Sequence, residues 1–268
     1  MKRTLTLALV LLLALAIVGC SNANDGKTIT VGASPTPHKV ILEFAAELMT
    51  KQGFTLKIQE YNDYVIPNTA VESGELDANY FQHQPYLTDF NASNGTHVIA
   101  VASVHYEPFG LYAGRTASLD DIQSGMKIAV PNDGSNEARA LYLLEQEGLI
   151  TLNKDAGYTA TVLDIAENPL ELDILEIEAA QIPRSLEDVD FAVINGNYAI
   201  QAGLNAATDA LAVEAADGDA AKTYANILCV KEGNEENAAV KALAEILAGP
   251  EVAAFIAETF QGAVVPMN

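Results

Sequence analysis

The chain has 268 residues, of which 50% are hydrophobic and 19% charged, so it is too apolar for a disordered protein and too polar for a protein with many membrane spans. This length suits one large domain or two lobes of roughly 100 residues each. Asp and Glu number 36 against 14 Lys and Arg, which gives a formal net charge of −22. Because the basic residues are few and scattered, the composition argues against nucleic-acid binding.

The N-terminus has the pattern of a bacterial lipoprotein signal. Two basic residues precede a largely apolar stretch from Leu5 to Val18, which is shorter than the roughly 20 residues of a membrane-spanning helix. Gly19-Cys20 ends that stretch and resembles a lipobox. We therefore predict a signal peptide over 1–19, a lipidated Cys20 with a polar tether over 20–27, and a location on the extracytoplasmic side of a bacterial cell membrane. The alternative is an ordinary signal peptide with an incidental cysteine.

In the first half of the mature chain, short apolar runs alternate with helical periodicity. Strands are predicted at 29–33, 55–60, 78–81 and 98–101, and a helix at 85–94. Another helix is predicted to begin at Pro37, with Thr36 as its N-cap. This alternation is typical of βαβ units, so the predicted class is α/β with mostly parallel sheets.

A second series of elements begins near Met126. It comprises strands at 127–130, 161–165 and 190–194, a helix at 136–146, and C-terminal helices at 240–247 and 252–260. Two further strands, near 109–112 and 224–230, are candidates for crossings between two lobes. We therefore predict one lobe from 27–112 plus 224–268, a second lobe from 113–223, and a ligand cleft between them.

Cys229 lies in the apolar run Ile227-Leu228-Cys229-Val230. If Cys20 carries lipid, Cys229 has no partner for an intramolecular disulfide, because the chain has only two cysteines. We predict a buried, inert thiol.

Sequence motifs of catalysis are absent. The chain has no Gly-x-Ser-x-Gly, no Gly-rich phosphate loop, no GxGxxG, no HExxH and no Cys-x-x-Cys. We predict a protein that is not an enzyme and holds neither cofactor nor metal. A metal site assembled from His83, His105 and Glu107 is the alternative.

Aromatic and histidine residues instead concentrate at predicted strand ends. Three runs carry them, namely 61–64, 80–86 and 104–108, in a chain that is only 7% aromatic. Strand ends face the crevice in an open α/β sheet, so these runs favour an apolar pocket with polar rims. Each run taken alone is more often core than pocket, and it is the occurrence of three runs beside turns that favours the pocket.

A second set of polar candidates lies in the later part of the chain. Arg139 is predicted in the first turn of its helix, just after Asn136, where it could bind a carboxylate bidentately; a surface salt bridge is the alternative. Asn195-Gly196-Asn197-Tyr198 follows an apolar run, and Asn226 lies in a predicted strand, where Asn is disfavoured. An amide side chain can serve an α-amino group and a carboxylate together.

Nine ordered motifs give the chain a resemblance to the substrate-binding lipoproteins of methionine ABC importers, a family that also includes lipoproteins binding methionine-containing dipeptides. They are Val31-Gly32-Ala33 with Pro37-His38, Tyr61-Asn62-Asp63-Tyr64, the run 74–83, Val104-His105 with Glu107-Pro108, Pro131-Asn132-Asp133 with Asn136 and Arg139, the runs 179–186 and 193–198, Tyr224-Ala225-Asn226-Ile227, and the run 262–266. The resemblance spans essentially the whole mature chain.

The resemblance implies a two-lobed periplasmic-binding-protein fold of type II that closes around an amino acid. It further implies delivery of methionine, most simply L-methionine, to an importer permease driven by a separate ATPase. By motif, the side-chain pocket is formed by Tyr64, Phe81, His83, Tyr86 and His105; Arg139 holds the carboxylate; Asn136, Asn195 and Asn226 fix the ligand backbone; and Asn197 is a further candidate. A thioether is polarizable and attracted to aromatic rings, in agreement with such a pocket.

The ligand identity stays open at this point. Phe109 and Gly134-Ser135 depart from the residues commoner in methionine-binding members. D-methionine, a methionine dipeptide and another apolar amino acid are the alternatives. A further alternative is a surface lipoprotein that acts in adhesion or signalling and has lost transport.

Overall fold

The structure is a computed structural model that describes residues 26–214 and 218–267, with the side chains of 218–220 left aside. The predicted signal peptide over 1–19 and Cys20 lie outside the described residues, as does most of the tether. Among the described residues, no helix combines the length and apolarity needed to cross a membrane.

Nine α-helices are found in the described residues: α1 His38–Lys51, α2 Ile66–Ser73, α3 Gln84–Asn94, α4 Gly134–Gln146, α5 Gly196–Gln201, α6 Ala206–Asp209, α7 Gly218–Thr223, α8 Ala238–Leu247 and α9 Pro250–Phe260. Short 3-10 turns span Leu119–Asp121, Gly157–Thr159, Val162–Asp164 and Ala179–Ser185. The predicted helices at 85–94, 136–146, 240–247 and 252–260 are confirmed, each starting one or two residues earlier than predicted.

Thirteen strands are found in the described residues: β1 Thr28–Ala33, β2 Thr55–Glu60, β3 Ala78–His83, β4 Val98–Tyr106, β5 Gly110–Ala113, β6 Lys127–Pro131, β7 Thr151–Leu152, β8 Ile165–Glu167, β9 Asp173–Ile177, β10 Phe191–Ile194, β11 Ala212–Val213, β12 Asn226–Lys231 and β13 Val265–Pro266. They form a six-stranded sheet of order β13-β4-β12-β3-β1-β2, a five-stranded sheet of order β11-β5-β10-β6-β9, and the pair β7-β8. The α/β prediction is confirmed.

Each large sheet has an antiparallel strand next to a set of parallel strands, and the six-stranded sheet has a second one at its edge, where β13 pairs antiparallel with β4. In the six-stranded sheet β1 pairs in parallel with β2 and β3, whereas β12 runs antiparallel between β3 and β4. In the five-stranded sheet β10 and β9 flank β6 in parallel, and β5 runs antiparallel to β10. Strands β5 and β12 coincide with the segments predicted as crossings, near 109–112 and 224–230, but each belongs to a single sheet. The chain passes from one sheet to the other between β4 and β5 and again between β11 and β12. The predicted lobe boundary between 112 and 113 falls inside β5, which belongs wholly to the five-stranded sheet.

Each sheet has its own apolar core. On the six-stranded sheet, β1 buries Ile29 and Val31 against Ile41 and Leu42 of α1, and helices α8 and α9 cover the same cluster. The α1 positions recur at helical spacing, so one apolar stripe faces the sheet. Cys229 is fully buried and unpaired, as predicted, and burial raises the pKa of its thiol.

Three local predictions were wrong. Helix α1 begins at His38 with Pro37 as its N-cap and without a side-chain cap, so Thr36 does not cap it. The strand predicted at 161–165 is largely the turn Val162–Asp164, where Thr161 and Asp164 form a capping box that closes the backbone locally. The elements α2, β9 and α5 were not predicted, because α2 opens with Ile66-Pro67 and α5 with Gly196, which read as loop.

Candidate ligand-binding site

A cavity lies between the two large sheets. The residues that line it come from the part of the chain around the six-stranded sheet, from the connection that follows β4, and from the part around the five-stranded sheet. They are Tyr64, Phe81, Gln82, His83, Tyr86, Glu107, Asn136, Arg139, Asn195, Gly196, Asn197 and Asn226. Several of these residues end or directly follow β3, β4 and β10, and carboxyl ends of strands form the crevice of open α/β sheets.

Nine of the ten predicted site residues line this cavity. His105 does not line it, which differs from the sequence expectation. It is fully buried behind the wall, where its ring nitrogens contact the Tyr80 hydroxyl and, at 2.8 Å, the Glu107 carboxylate. His105 therefore supports the wall residue Glu107 instead of facing the cavity.

One wall is aromatic. The Tyr64 ring lies 5.8 Å from the Phe81 ring and 5.7 Å from the Tyr86 ring, between ring centroids. The Tyr86 hydroxyl donates to the Tyr64 carbonyl at 3.0 Å, and the Tyr64 hydroxyl donates to Asn197 Oδ1 at 2.5 Å. Edge and tilted ring contacts of this kind make a rigid apolar surface that suits an apolar or thioether side chain.

The opposite wall is a cluster of buried amides and one imidazole. Asn136 Oδ1 accepts from Asn195 Nδ2 at 3.0 Å and lies 3.1 Å from His83 Nε2. The amide oxygen of Asn195 and the amide nitrogen of Asn197 are buried and have no hydrogen-bond partner among the described residues. Buried polar atoms are almost always paired, so an unpaired acceptor and an unpaired donor in one cavity indicate a ligand that has both groups.

Helix α4 delivers Asn136 and Arg139 to the cavity. It begins at Gly134 because Asp133 caps it, accepting from the Asn136 backbone amide at 3.1 Å. Arg139 is therefore in the second turn and not in the first as predicted. The helix N-terminus already holds the Asp133 carboxylate, so the helix dipole is not available to a ligand carboxylate beside Arg139.

Arg139 is held by a carboxylate that the sequence did not point to. Its Nε donates to Glu214 Oε2 at 2.8 Å, and its Nη2 contacts Glu214 Oε1 and donates to the Glu107 carbonyl at 2.8 Å. The bidentate edge expected to bind a ligand is thus occupied by Glu214, and Nη1 alone has no hydrogen-bond partner among the described residues. Burial opposes the charge of Arg139, but the Glu214 carboxylate raises its pKa above the usual value.

Glu107 is the acidic residue of the cavity wall. Its Oε1 lies 3.3 Å from His38 Nε2 and 2.8 Å from His105 Nε2, and burial raises the pKa of the carboxyl. Burial lowers the pKa of His38 to about 4 and that of His105 to about 3, so both imidazoles are neutral near pH 7. A Cβ on Gly196 would lie 2.6 Å from the Glu107 Cβ, so only glycine fits against this carboxylate.

The same three side chains, His38, His105 and Glu107, are the metal-ligating group that comes closest together among the described residues. His83, which the sequence offered in place of His38, lies on the amide wall. Neutral imidazoles satisfy the cluster without a cation, since Ser34 Oγ and the Tyr80 hydroxyl can donate to the two Nδ1 atoms while the Nε2–H groups face oxygen acceptors. We retain the prediction that no metal is held here.

Four wall or support residues were missed by the sequence reasoning: Gln82, Glu107, Gly196 and Glu214. Gln82, Gly196 and Glu107 lie inside runs that were singled out, but Glu107 was considered as a metal ligand or a structural residue and not as a ligand contact. Glu214 had no local signal, because its partner Arg139 is 75 residues away in the chain.

Comparison with known proteins assigns the chain to a family. The NlpA lipoprotein family model matches residues 29–268. The D-methionine-binding lipoprotein MetQ of Escherichia coli is 38% identical over 94% of this chain and 93% of its own length. A lipoprotein structure from Ruminococcus gnavus is 53% identical with a TM-score of 0.89, covering 90% of this chain and 100% of its own.

A nutrient-binding protein from Burkholderia cenocepacia, solved bound to methionine, is 43% identical with a TM-score of 0.85, covering 90% of this chain and 100% of its own. These likenesses confirm the predicted two-lobed periplasmic-binding fold of type II, and the Escherichia coli and Burkholderia cenocepacia relatives are binding proteins by name. The chain belongs to the NlpA lipoprotein family.

Proposed function

We propose that this protein is a lipid-anchored, extracytoplasmic substrate-binding protein that captures methionine, with L-methionine as the leading candidate. It delivers the methionine to the permease of an ABC importer that is driven by a separate ATPase. The chain itself catalyses no reaction. Cys20 carries the lipid anchor. The ligand-contacting residues are the nine predicted residues of the cavity wall together with Glu107.

The observation that carries the proposal is the pairing of unsatisfied polar atoms with an aromatic wall in one cavity. Asn195 Oδ1 and Asn197 Nδ2 have no partner among the described residues, and the Arg139 guanidinium, which is paired with Glu214, adds the Nη1 donor. A free amino acid offers an ammonium donor, a carboxylate acceptor and a side chain, which are the three groups this cavity can receive.

The charges of the wall indicate the orientation of the ligand. The ligand ammonium faces the Glu107 carboxylate and the free Asn195 oxygen, and the ligand carboxylate faces Arg139 Nη1. The thioether then extends to the wall formed by Tyr64, Phe81 and Tyr86, where sulfur contacts with rings contribute roughly 0.3–1.5 kcal/mol each.

Two relatives support methionine as the ligand. The Escherichia coli relative is named for D-methionine binding, and the Burkholderia cenocepacia structure holds methionine. The two leave stereochemistry open between them, so both enantiomers belong in the test.

Calorimetry tests the ligand. Purified protein is unfolded and refolded to remove copurified solute, and then titrated with L-methionine, D-methionine, glycyl-methionine, leucine and alanine. Saturable binding of L-methionine at a ratio near one, tighter than that of the other four, is the expected result. Tighter binding of another compound would reassign the ligand. The absence of heat and of any thermal shift with all five would overturn transport of methionine and favour a surface lipoprotein that acts in adhesion or signalling.

The aromatic wall is tested by Phe81→Ala. Because Phe81 is expected to contact the distal part of the ligand, the variant should lose at least about tenfold in affinity for methionine and much less for alanine. The matched control is Phe255→Ala, in a ring pair with Phe44 away from the cavity, which should leave both affinities unchanged. Equal losses for both ligands in Phe81→Ala would mean that Phe81 acts only as a core residue.

A further inference from the structure

Glu214 follows the short strand β11 and is nearly buried, with 10% of its side chain exposed. Its two carboxylate oxygens receive four donors from three residues. Oε1 contacts the Tyr106 hydroxyl and Arg139 Nη2 and accepts from the Phe109 amide at 2.9 Å, while Oε2 accepts from Arg139 Nε at 2.8 Å. Burial disfavours the charge, yet the paired Arg139 lowers the pKa of Glu214 below its usual value, so the carboxylate is ionised.

The guanidinium of Arg139 is enclosed on nearly every side. The rings of Phe109 and Tyr224 each lie 4.4 Å from its central carbon. Glu214 takes the edge formed by Nε and Nη2, and the second Nη2 hydrogen goes to the Glu107 carbonyl. Rotation of the planar group would break these contacts, so Nη1 is the nitrogen that they leave for a ligand.

We propose that Glu214 is a positioning residue for ligand recognition: by holding the Nε and Nη2 edge of Arg139, it presents Nη1 as the only guanidinium donor for the carboxylate of an amino-acid ligand. This inference rests on the proposed function in that the ligand has a carboxylate. It assigns Glu214 a role through Arg139, without contact between Glu214 and the ligand.

Two features of ligand binding follow from this arrangement. The guanidinium can bind the ligand carboxylate through Nη1 alone and not as a two-nitrogen fork, because the other two nitrogens are engaged. The fixed direction of the Nη1–H groups then distinguishes a carboxylate at the correct position from an uncharged or displaced group. Glu214 contributes to this selection by geometry, since its charge alone would repel the ligand carboxylate.

The test compares L-methionine with L-methioninamide in three proteins. Wild type should prefer the acid by about tenfold or more, as expected when a charged hydrogen bond is lost. Glu214→Asp keeps the charge but shortens the reach, so the preference should fall to about threefold or less. Glu251→Asp, at the exposed start of α9, is the control and should behave as wild type. A preference in Glu214→Asp within twofold of wild type would overturn the positioning role.

A second measurement needs neither ligand nor variant. The Nε–H of Arg139 is buried and bonded to Glu214, whereas the Arg115 side chain is half exposed and bonds Asp190 through Nη2. In nitrogen-15 NMR of the wild-type side chains, hydrogen exchange at Arg139 Nε should be at least about a hundredfold slower than at Arg115 Nε. Similar exchange rates at the two Nε atoms would contradict the inference that Glu214 fixes the Arg139 guanidinium. If wild type binds neither L-methionine nor L-methioninamide, the proposed function fails. The exchange measurement then tests by itself whether Glu214 holds Arg139 in place.

Discussion

The protonation of His83 offers a test of the site that needs no ligand. His83 ends β3 and caps helix α3, because its Nδ1 accepts from the Tyr86 backbone amide at 3.2 Å. Its Nε2 faces Asn136 Oδ1 at 3.1 Å. A proton on Nδ1 would point at the Tyr86 N–H donor and remove the cap, so the imidazole must be neutral in the folded protein.

The direction of the pH effect follows from this geometry. Burial, with the nearby charge of Arg139, lowers the pKa of His83 from 6.5 to about 3. The unfolded chain therefore binds more protons at this residue between pH 3 and 6.5, and stability is lost as the pH falls below 6.5. Between pH 7.5 and pH 5 the loss from this histidine is about 2 kcal/mol, at about 1.4 kcal/mol for each pH unit below 6.5.

His83→Asn removes the titration but keeps a side-chain acceptor for the cap. The free energy of unfolding in urea, measured at pH 5 and 7.5, should fall by about 2 kcal/mol more in wild type than in the variant. The raised pKa of Glu107 acts in the opposite direction, but it is present in both proteins and largely cancels in the difference. The control is His97→Asn, at a side chain 66% exposed, whose pH dependence should match wild type. Parallel curves for His83→Asn and wild type would refute the reasoning.

Three further changes test the contacts around the cavity. Arg139→Met should cost about 3–5 kcal/mol in urea unfolding because it leaves the buried Glu214 charge unpaired, and adding Glu214→Gln should recover at least half; a double variant less stable than the single would argue against an unpaired charge. Gly196→Ala should destabilise by about 1–3 kcal/mol through overpacking, whereas Gly134→Ala, with its nearest contact at 3.5 Å, should be neutral within about 0.5 kcal/mol; equal effects would count against the close approach. Cys229 should resist a thiol reagent in the folded protein and react once urea unfolds it, and fast labelling of the native state would contradict its burial.

The elements that the sequence predicted well are those with their own local pattern. Strand β2 was predicted at its observed bounds, and β1 and β6 were each predicted one residue short. The strand prediction at 161–165 was wrong for a different local reason. Side-chain capping by Thr161 outweighed an apolar run that is too short to specify a strand.

The order in which the strands pair within each sheet was not predictable from such local patterns. β12 lies between β3 and β4 although more than 100 residues separate it from either in the chain. The sequence indicated a candidate crossing strand near 224–230 but not its neighbours in the sheet. Its register, which sets Asn226 opposite His83 and His105, includes one irregularity against β3 and two against β4, and no local pattern signals them.

In the candidate site, too, local features were predictable from the sequence and long-range contacts were not. Its aromatic and amide residues occur in compact runs at strand ends, so residues such as Phe81 and Asn195 were found from position and type. Their pairing was not found, because Asn195 meets Asn136 across 59 residues and Tyr64 meets Asn197 across 133. Whether a buried polar residue serves a ligand or another residue is decided by contacts between the lobes, which one chain segment cannot specify.

Arg139 illustrates what those long-range contacts change. From the sequence, a cation beside a helix start indicated a free two-nitrogen fork for a carboxylate. In the structure Glu214 neutralises much of that charge, so the pair presents a directed donor and little net attraction. We therefore expect such a site to bind a zwitterion by the geometry of several hydrogen bonds, with the ligand ammonium facing Glu107. The loss of one such contact should therefore change which ligands are selected as well as how tightly they bind.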